Sequence, residues 1–404
     1  MNEKGSNHQL LKQKNSQLIQ KYIYKNSPIS RVEIAQQLGL TTATITGMVN
    51  PMISAGLLRE TVAQSEEAKG AGRPRMMLEF VPDAYYICGV DVGVYRTSYI
   101  LTDICGEIVA IRHTDRRLDE YHITLERLAR EIPAFLEEAG IPREKILGIG
   151  ICLPGMIDGS ADKIYDIFYE GWTEHNLCAD LGQRLGMKIE VENNVRARSI
   201  SAELFDRMVT AEPFAYFFVS FGIACQMIID GKVLYGQSAA AGEIGHTVVQ
   251  RNGPVCPTCG NRGCLEALTG ERAILQQCRD IMATDVPTIL KELCPDPRKL
   301  TMDQVLMAQE LGDAPVNQVI EDAIEYLGIA LANTINLISP RAVVLEGRIL
   351  STPKNQSRML KTVEQYMFHI HSGMTDFTFL PSDPDRGARA AAAVVVKEFL
   401  SGSI

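Results

Sequence analysis

At 404 residues the chain is too long for one ordinary domain, and two or three are expected. Its formal net charge is −9, yet residues 1–82 carry ten Lys and Arg against six Asp and Glu, a net of +4 that leaves −13 on the remainder. A basic N-terminal piece on an acidic body suits a small domain that approaches a polyanion, while the lack of a long apolar run or a signal peptide excludes a membrane span and predicts a cytoplasmic chain. Cys88, Cys105, Cys152, Cys178, Cys225, Cys278 and Cys294 are dispersed, mostly in apolar runs, as free thiols in a reducing compartment are.

In chain order, residues 9–25 carry Leu10, Leu11, Leu18, Ile19, Tyr22 and Ile23 at helical spacing, and Ser27-Pro28 interrupts that helix. Ser30 offers an N-cap to RVEIAQQL, with Glu33 at the capping-box position and Gly39 as the stop. A third helix, TATITGMVNPMISAG, closes at Gly56, and Pro51 predicts a bend near its end. Two short helices joined by a Gly-containing turn are the helix-turn-helix signature. LLRETV and RMMLEFV then read as strands bracketing AQSEEAKGAGRP, a polar loop suited to a wing. Arg31, Thr41, Thr42, Thr44, Thr46, Arg73 and Arg75 are the expected contacts to phosphates and base edges of double-stranded DNA. A small helical protein-interaction module is the alternative.

From Tyr86 the pattern becomes α/β. Three strands with turns at Gly93 to Arg96 and at Cys105-Gly106 lead to a helix over 123–139. The strand KILGIGICLPG, a helix over 177–185, the strand MKIEVEN and a helix over 195–208 follow. AYFFVSFG and CQMIID form a hairpin-like pair, and NLISPRAVVLEGRI ends a helix and begins a strand. The closing GARAAAAVVVKEFL is a small-residue helix able to pack closely on a sheet.

The most specific stretch is EIGHTVVQRNGPVCPTCGNRGCLE, which sets His246, Cys256, Cys259 and Cys264 in the spacing H-x9-C-x2-C-x4-C. One imidazole and three thiolates suit a closed tetrahedral Zn2+ site. Gly260 and Gly263 let the backbone turn tightly enough for the donors to converge. A redox CxxC would leave a third cysteine and a histidine unexplained. Glu243 and Glu266 flank the cluster.

AGEIGH at 241–246, CGNRGCLE at 259–266, GIGICLPG at 148–155 and VENN at 191–194, behind a winged helix, resemble the ROK family of repressors, open reading frames and kinases. The resemblance covers essentially residues 8–400. It implies an α/β fold: an N-terminal winged helix-turn-helix (1–82), then a two-lobed actin-like ATPase, or sugar-kinase-like, fold with a zinc knuckle. The small lobe would take 83–195 and 386–404, and the large lobe 196–385 with the zinc site. The family usually places one residue between its first two cysteines; here Pro257 and Thr258 make it two.

That resemblance leaves a sugar kinase and a sugar-responsive regulator open, and particular positions decide between them. The kinases' DxGGTK loop corresponds to Asp91-Val92-Gly93-Val94-Tyr95-Arg96, and GTGIGGG to Ser220-Phe221-Gly222-Ile223-Ala224-Cys225-Gln226. Their GGG turn is Glu346-Gly347-Arg348, and the catalytic ENDA is Glu192-Asn193-Asn194-Val195. An amide accepts no proton at neutral pH, so Asn194 can hydrogen-bond a hydroxyl but not activate it. Phosphates need glycine-rich turns, and these are degraded. No catalytic residue and no ATP are expected, and the chain is not expected to be an enzyme.

By the resemblance, Glu243, His246 and Glu266 contact sugar hydroxyls, with Asn193, Asn194 and the Gly155 turn completing the pocket. Trp172 resembles a family segment near the cleft, with a plain core role as the alternative. The expected protein is a repressor of carbohydrate genes, a homodimer or homotetramer on a DNA operator. A sugar effector would close the cleft between the lobes and shift the DNA-binding domains. A protein partner as the signal is a further alternative.

Overall fold

The structure is a computed structural model that describes residues 3–62, 75–159, 162–167, 171–206 and 213–403. The chain divides into two compact units, Met1–Met208 with Asp385–Ile404, and Val209–Pro384.

The first unit opens with α1 (Glu3–Asn26), β1 (Ile29–Ser30), α2 (Arg31–Leu38), α3 (Thr42–Ser54), β2 (Leu58–Val62) and β3 (Met76–Phe80). Capping sets the bounds of α2. The Ser30 N–H and hydroxyl donate to Glu33 Oε2 at 2.9 and 2.7 Å, the Glu33 N–H returns a bond to Ser30, and Gly39 at φ +64° ends the helix. The same box holds the Glu33 carboxyl below its usual value, the Ser30 hydroxyl being the main cause. Thr41 caps α3, which continues through Pro51 to Ser54.

β2 and β3 pair antiparallel from Leu58 opposite Phe80 to Val62 opposite Met76, as the two strands of a wing must. The wing loop, residues 63–74, lies outside the described residues, and Arg73 with it. β1 adds a third strand on β3, too short to show a sequence period. Ile19, Ile23, Ile34, Ile45, Val49, Leu58, Leu78 and Phe80 are the core of this module. The expected apolar face of α1 is only partly used, since Leu11 and Leu18 stay 54% and 47% exposed. The helix packs instead through Ile19, Ile23 and Tyr24. Its C-terminal end is anchored on the rest of the unit: Tyr24 Oη donates to the Ile104 carbonyl at 2.7 Å, and Lys25 pairs with Glu203.

The remainder of the first unit runs β4 (Tyr86–Val92), β5 (Thr97–Asp103), β6 (Ile108–Thr114), α4 (Tyr121–Ala139), β7 (Ile146–Leu153), β8 (Met156–Asp158), β9 (Lys163–Asp166), α5 (Leu177–Leu185), β10 (Ile189–Asn193) and α6 (Asn194–Leu204). Its sheet order is β10-β7-β4-β5-β6, with β10, β7 and β4 parallel and the β4-β5-β6 meander antiparallel. The β8–β9 hairpin is too short to have been legible in the sequence. α6 belongs to this unit, where it packs on the C-terminal helix (Arg386–Ser401), so residues 196–208 fall on the first side of the division rather than with the large lobe.

The second unit holds β11 (Phe214–Val219), β12 (Ile223–Ile229), β13 (Lys232–Val233), α7 (Leu265–Thr269), α8 (Glu271–Met282), α9 (Leu290–Leu293), α10 (Met302–Glu310), α11 (Ala314–Ile338), β14 (Ala342–Gly347), α12 (Pro353–Tyr366) and β15 (Asp376–Leu380). Its order, β13-β12-β11-β14-β15, repeats that of the first sheet: an antiparallel meander continued by two parallel strands. Ile274, Cys278, Val305, Ile320, Ile324, Leu327 and Leu331 pack the helices against β11 and β14. Among the described residues no helix is long and apolar enough to cross a membrane.

The C-terminal helix lies directly on the first sheet. Ala388, Ala390, Ala391, Ala392 and Ala393 are fully buried, and a Cβ on Gly89 or Gly150 would overlap the carbonyl oxygens of Ala388 and Ala391. Small residues on both sides permit that approach. Gly150→Ala is expected to cost about 1–3 kcal/mol, since backbone must move to admit one methyl group. Urea unfolding followed by circular dichroism checks this, and an unchanged midpoint would contradict it.

Candidate functional site

The cysteine stretch folds back on itself through two bridges, Val248 with Cys264 and Val255 with Arg262. Val249 and Gln250 N–H groups both donate to the Gly263 carbonyl, at 2.9 and 3.2 Å. Gly263 has φ +76°, and a Cβ there would overlap the Gln250 carbonyl, so the crossing admits only glycine. Cys256 N–H donates to the Asn261 carbonyl at 2.7 Å and closes the loop that carries Cys259.

This backbone brings one donor atom each from His246, Cys256, Cys259 and Cys264 to within 4.8 Å of one another, a set that could hold a metal ion. Cys256 Sγ stands 3.8 Å from His246 Nδ1, and Cys259 Sγ stands 3.5 Å from Cys264 Sγ. Two sulfurs on one tetrahedral ion with bonds near 2.3 Å lie roughly 3.7 Å apart, so the spacing fits. All ten cysteines are free thiols. Cys256 and Cys264 are buried and Cys259 is exposed. The Cys259 thiol is pulled down to about 7, first by the Asn261 backbone N–H, whereas burial pushes Cys264 up to about 12. A cation in the cluster would favour the thiolate at both.

The two glutamates are carried by the same knuckle. Glu243 precedes the short turn Ile244–His246, and Glu266 lies in the first turn of α7, whose N-cap residue is Cys264. Both are half-buried. Thr258, between Cys256 and Cys259, donates its hydroxyl to Glu266 Oε1 at 2.7 Å. Sequence reasoning did not reach that contact, because Thr258 entered it only as a spacer.

The amide residues sit in the first unit, where Asn193 has a structural task. Its Oδ1 accepts from the Val195 and Arg196 N–H groups at 2.9 and 3.1 Å, capping α6, and its Nδ2 donates to the Gly155 carbonyl at 2.8 Å. Gly155 is at φ +127°. Asn194 opens α6. Nearby, Arg198 Nη2 lies 3.5 Å from Asp91 Oδ2, and Cys152 Sγ donates to Asp91 Oδ1 at 3.4 Å. A Cβ on Gly387 would overlap the same carboxylate. Asp91, the loop aspartate of the kinase comparison, is thus an enclosed partner of an internal guanidinium.

The other altered turns differ from one another. Ser220 N–H donates to the Gly222 carbonyl at 3.1 Å in a tight β11–β12 turn. Glu346 is buried and accepts the Tyr216 hydroxyl, and Arg348 stands 3.8 Å from Asp303. Trp172 is 1% exposed, edge-on to Tyr121, with its indole N–H on the Asp119 carbonyl at 2.9 Å, which makes it a core residue.

In the winged helix, Thr42 and Thr46 lie on the accessible side of α3, but three other expected contacts have partners within the chain. Thr41 and Thr44 hydroxyls bond each other at 2.8 Å as part of the cap. Arg31 is paired with Glu60 and donates to Asn50 Oδ1 at 3.3 Å. Arg75 is largely exposed, 3.6 Å from Glu33.

Two family models match, the ROK family over residues 87–398 and winged helix-turn-helix DNA-binding over 14–59. The chain belongs to the ROK family, in a form that carries an N-terminal winged helix-turn-helix. It is 29% identical to the xylose repressor of Bacillus subtilis (strain 168), over 96% of this chain and 97% of that one. It is 26% identical to the DNA-binding transcriptional dual regulator NagC of Escherichia coli (strain K12), over 98% and 95%. A solved ROK family transcriptional regulator, a homologue of the E. coli MLC protein, has the same fold with a TM-score of 0.83 at 24% identity, over 97% of each chain.

Gly263→Ala is expected to cost about 1–3 kcal/mol, because alanine at positive φ is strained and its methyl group meets the Gln250 carbonyl. Differential scanning calorimetry reads the loss; a wild-type melting temperature would mean that the crossing tolerates a side chain.

Proposed function

We propose that this protein is a sugar-responsive, DNA-binding transcriptional regulator, a repressor of carbohydrate genes without kinase activity. The observation that carries this reading is a split in the ROK body. The carboxylate-flanked Cys3His cluster is intact, while the glycine-rich loops are depleted of glycine and Asp91 and Glu346 are engaged by Arg198 and Tyr216. Asn194 stands where the resembling kinases have an aspartate base, and a carboxamide cannot take the hydroxyl proton.

The cluster binds Zn2+, which in a closed site of four protein ligands is structural. His246 offers Nδ1 to the metal and keeps its other ring nitrogen for a sugar oxygen. Glu243 and Glu266 accept from sugar hydroxyls, and a carboxylate suits a vicinal diol because it accepts from two hydroxyls at once. Asn194 and the Gly155 turn are further candidate ligands. Asn193 acts by holding that turn and the start of α6.

The winged helix binds a two-fold operator as a homodimer or a dimer of dimers, with Thr42, Thr46 and Arg75 toward the DNA and Arg73 on the wing. Arg31, Thr41 and Thr44 build the recognition helix and hold its orientation through these partners, and one hydroxyl proton of the threonine pair remains to donate to a phosphate. The named sugars of the relatives differ, so the sugar here is fixed by pocket residues beyond the shared ones.

Calorimetric titration with a sugar panel tests the ligand reading. Glu243→Gln and Glu266→Gln are each expected to weaken binding by about 10-fold or more, the worth of a charged hydrogen bond. Wild-type affinity in both would remove the two carboxylates from the site. Asn194→Asp restores a base but no glycine turn, so a coupled ADP-release assay should find no turnover in it or in the wild type. Measurable phosphorylation of any hexose by the wild type would overturn the assignment. Cys259→Ser or Cys264→Ser should lower zinc content from about one ion per chain and reduce sugar binding with it. Undiminished binding in a zinc-free variant would make the metal dispensable.

A further inference from the structure

We propose that Thr258 is a positioning residue for Glu266, fixing which carboxylate oxygen meets the ligand; this rests on the reading of Glu266 as a sugar contact. The knuckle carries both ends of the bond. Thr258 sits on the turn between two metal-ligand cysteines, and Glu266 follows the third ligand cysteine by two residues. The Thr258 hydroxyl donates to Glu266 Oε1 at 2.7 Å. On the other side, the Glu266 Cβ lies 3.4 Å from where Gly245 would carry a Cβ, so a bare glycine flanks the root of the side chain. Glu266 Oε2 is 3.5 Å from the corresponding point on Gly222, so the second oxygen faces a bare backbone turn.

The carboxylate is therefore held on one oxygen by Thr258, and the other lies against the exposed Gly222 turn. A glutamate has three rotatable side-chain bonds, and one unrestrained before binding must be immobilised by the ligand itself. Thr258 does this in advance. The second residue of the Cys256–Cys259 spacer thereby acquires a task, and the two-residue spacing of this chain becomes a feature of its recognition site rather than a neutral insertion. Pro257 stiffens the turn that presents Thr258, since its φ is fixed.

The test uses the full zinc-loaded chain. Thr258→Ser keeps the hydroxyl, Thr258→Ala and Thr258→Val remove it, and Glu266→Gln controls for the reading beneath the proposal. Titration with xylose, glucose and N-acetylglucosamine should give wild-type affinity in T258S and about 5- to 10-fold weaker affinity in T258A and T258V, with zinc content unchanged. Crystal structures without sugar should show Glu266 in one rotamer in the wild type and T258S, and in several in T258A. A single unchanged Glu266 rotamer in T258A overturns the proposal whether or not any of these sugars binds. Wild-type affinity in T258A, with E266Q impaired, overturns it while leaving Glu266 as a contact. Wild-type affinity in E266Q overturns both.

Discussion

Glu243 and Glu266 are 23 positions apart in the sequence, and both are carried by the knuckle between them. Four donor atoms converge within 4.8 Å because Gly263 passes under the Gln250 carbonyl, a crossing no side chain fits. His246 follows Glu243 by three residues and Cys264 precedes Glu266 by two, so fixing the ligand set fixes both carboxylates. A metal there needs no chemistry of its own. It would hold a short irregular segment, which has little hydrophobic core, in a geometry that helices and strands would otherwise have to supply.

Elsewhere in the chain, the charges at positions compared with the kinase motifs are turned inward. Asp91 faces Arg198 and Cys152, Glu346 takes the Tyr216 hydroxyl, and Glu192 is bonded to Arg196 at 2.9 Å with both side chains buried. Buried charges persist only when paired, and each of these has its partner within the chain. Within the first unit, the winged helix is also bonded to the residues that follow it. α1 belongs to the winged helix, yet Tyr24 and Lys25 at its end are bound to Ile104 and Glu203.

Much of this was legible in the sequence, for local reasons. Ser30, Glu33 and Gly39 mark α2 to the residue because a capping box and a left-handed stop depend on neighbours alone. The spacing of His246 and three cysteines announces the knuckle for the same reason. What escaped depends on residues distant in sequence. Nothing near Arg31 foretells Glu60, nothing near Asp91 foretells Arg198, and the exposure of Leu11 and Leu18 follows from which half of α1 finds a partner. Asn193 has tasks that its place in the motif does not announce: its side chain caps a helix and holds the Gly155 carbonyl. Thr258 was hidden because a spacer residue has no sequence signal for the direction in which its side chain points.

The central claim is that a former sugar-phosphorylating body now reports sugar to a DNA-binding module. It is tested most directly by fluorescence anisotropy of a labelled operator, isolated by selection on the full chain, titrated with protein in the presence of each sugar of a panel and with ATP alone. The account predicts that one sugar or closely related group shifts operator affinity about 5- to 150-fold, the usual range of coupling between two sites, and that ATP shifts nothing. Operator affinity indifferent to every sugar, or responsive to ATP, would contradict it.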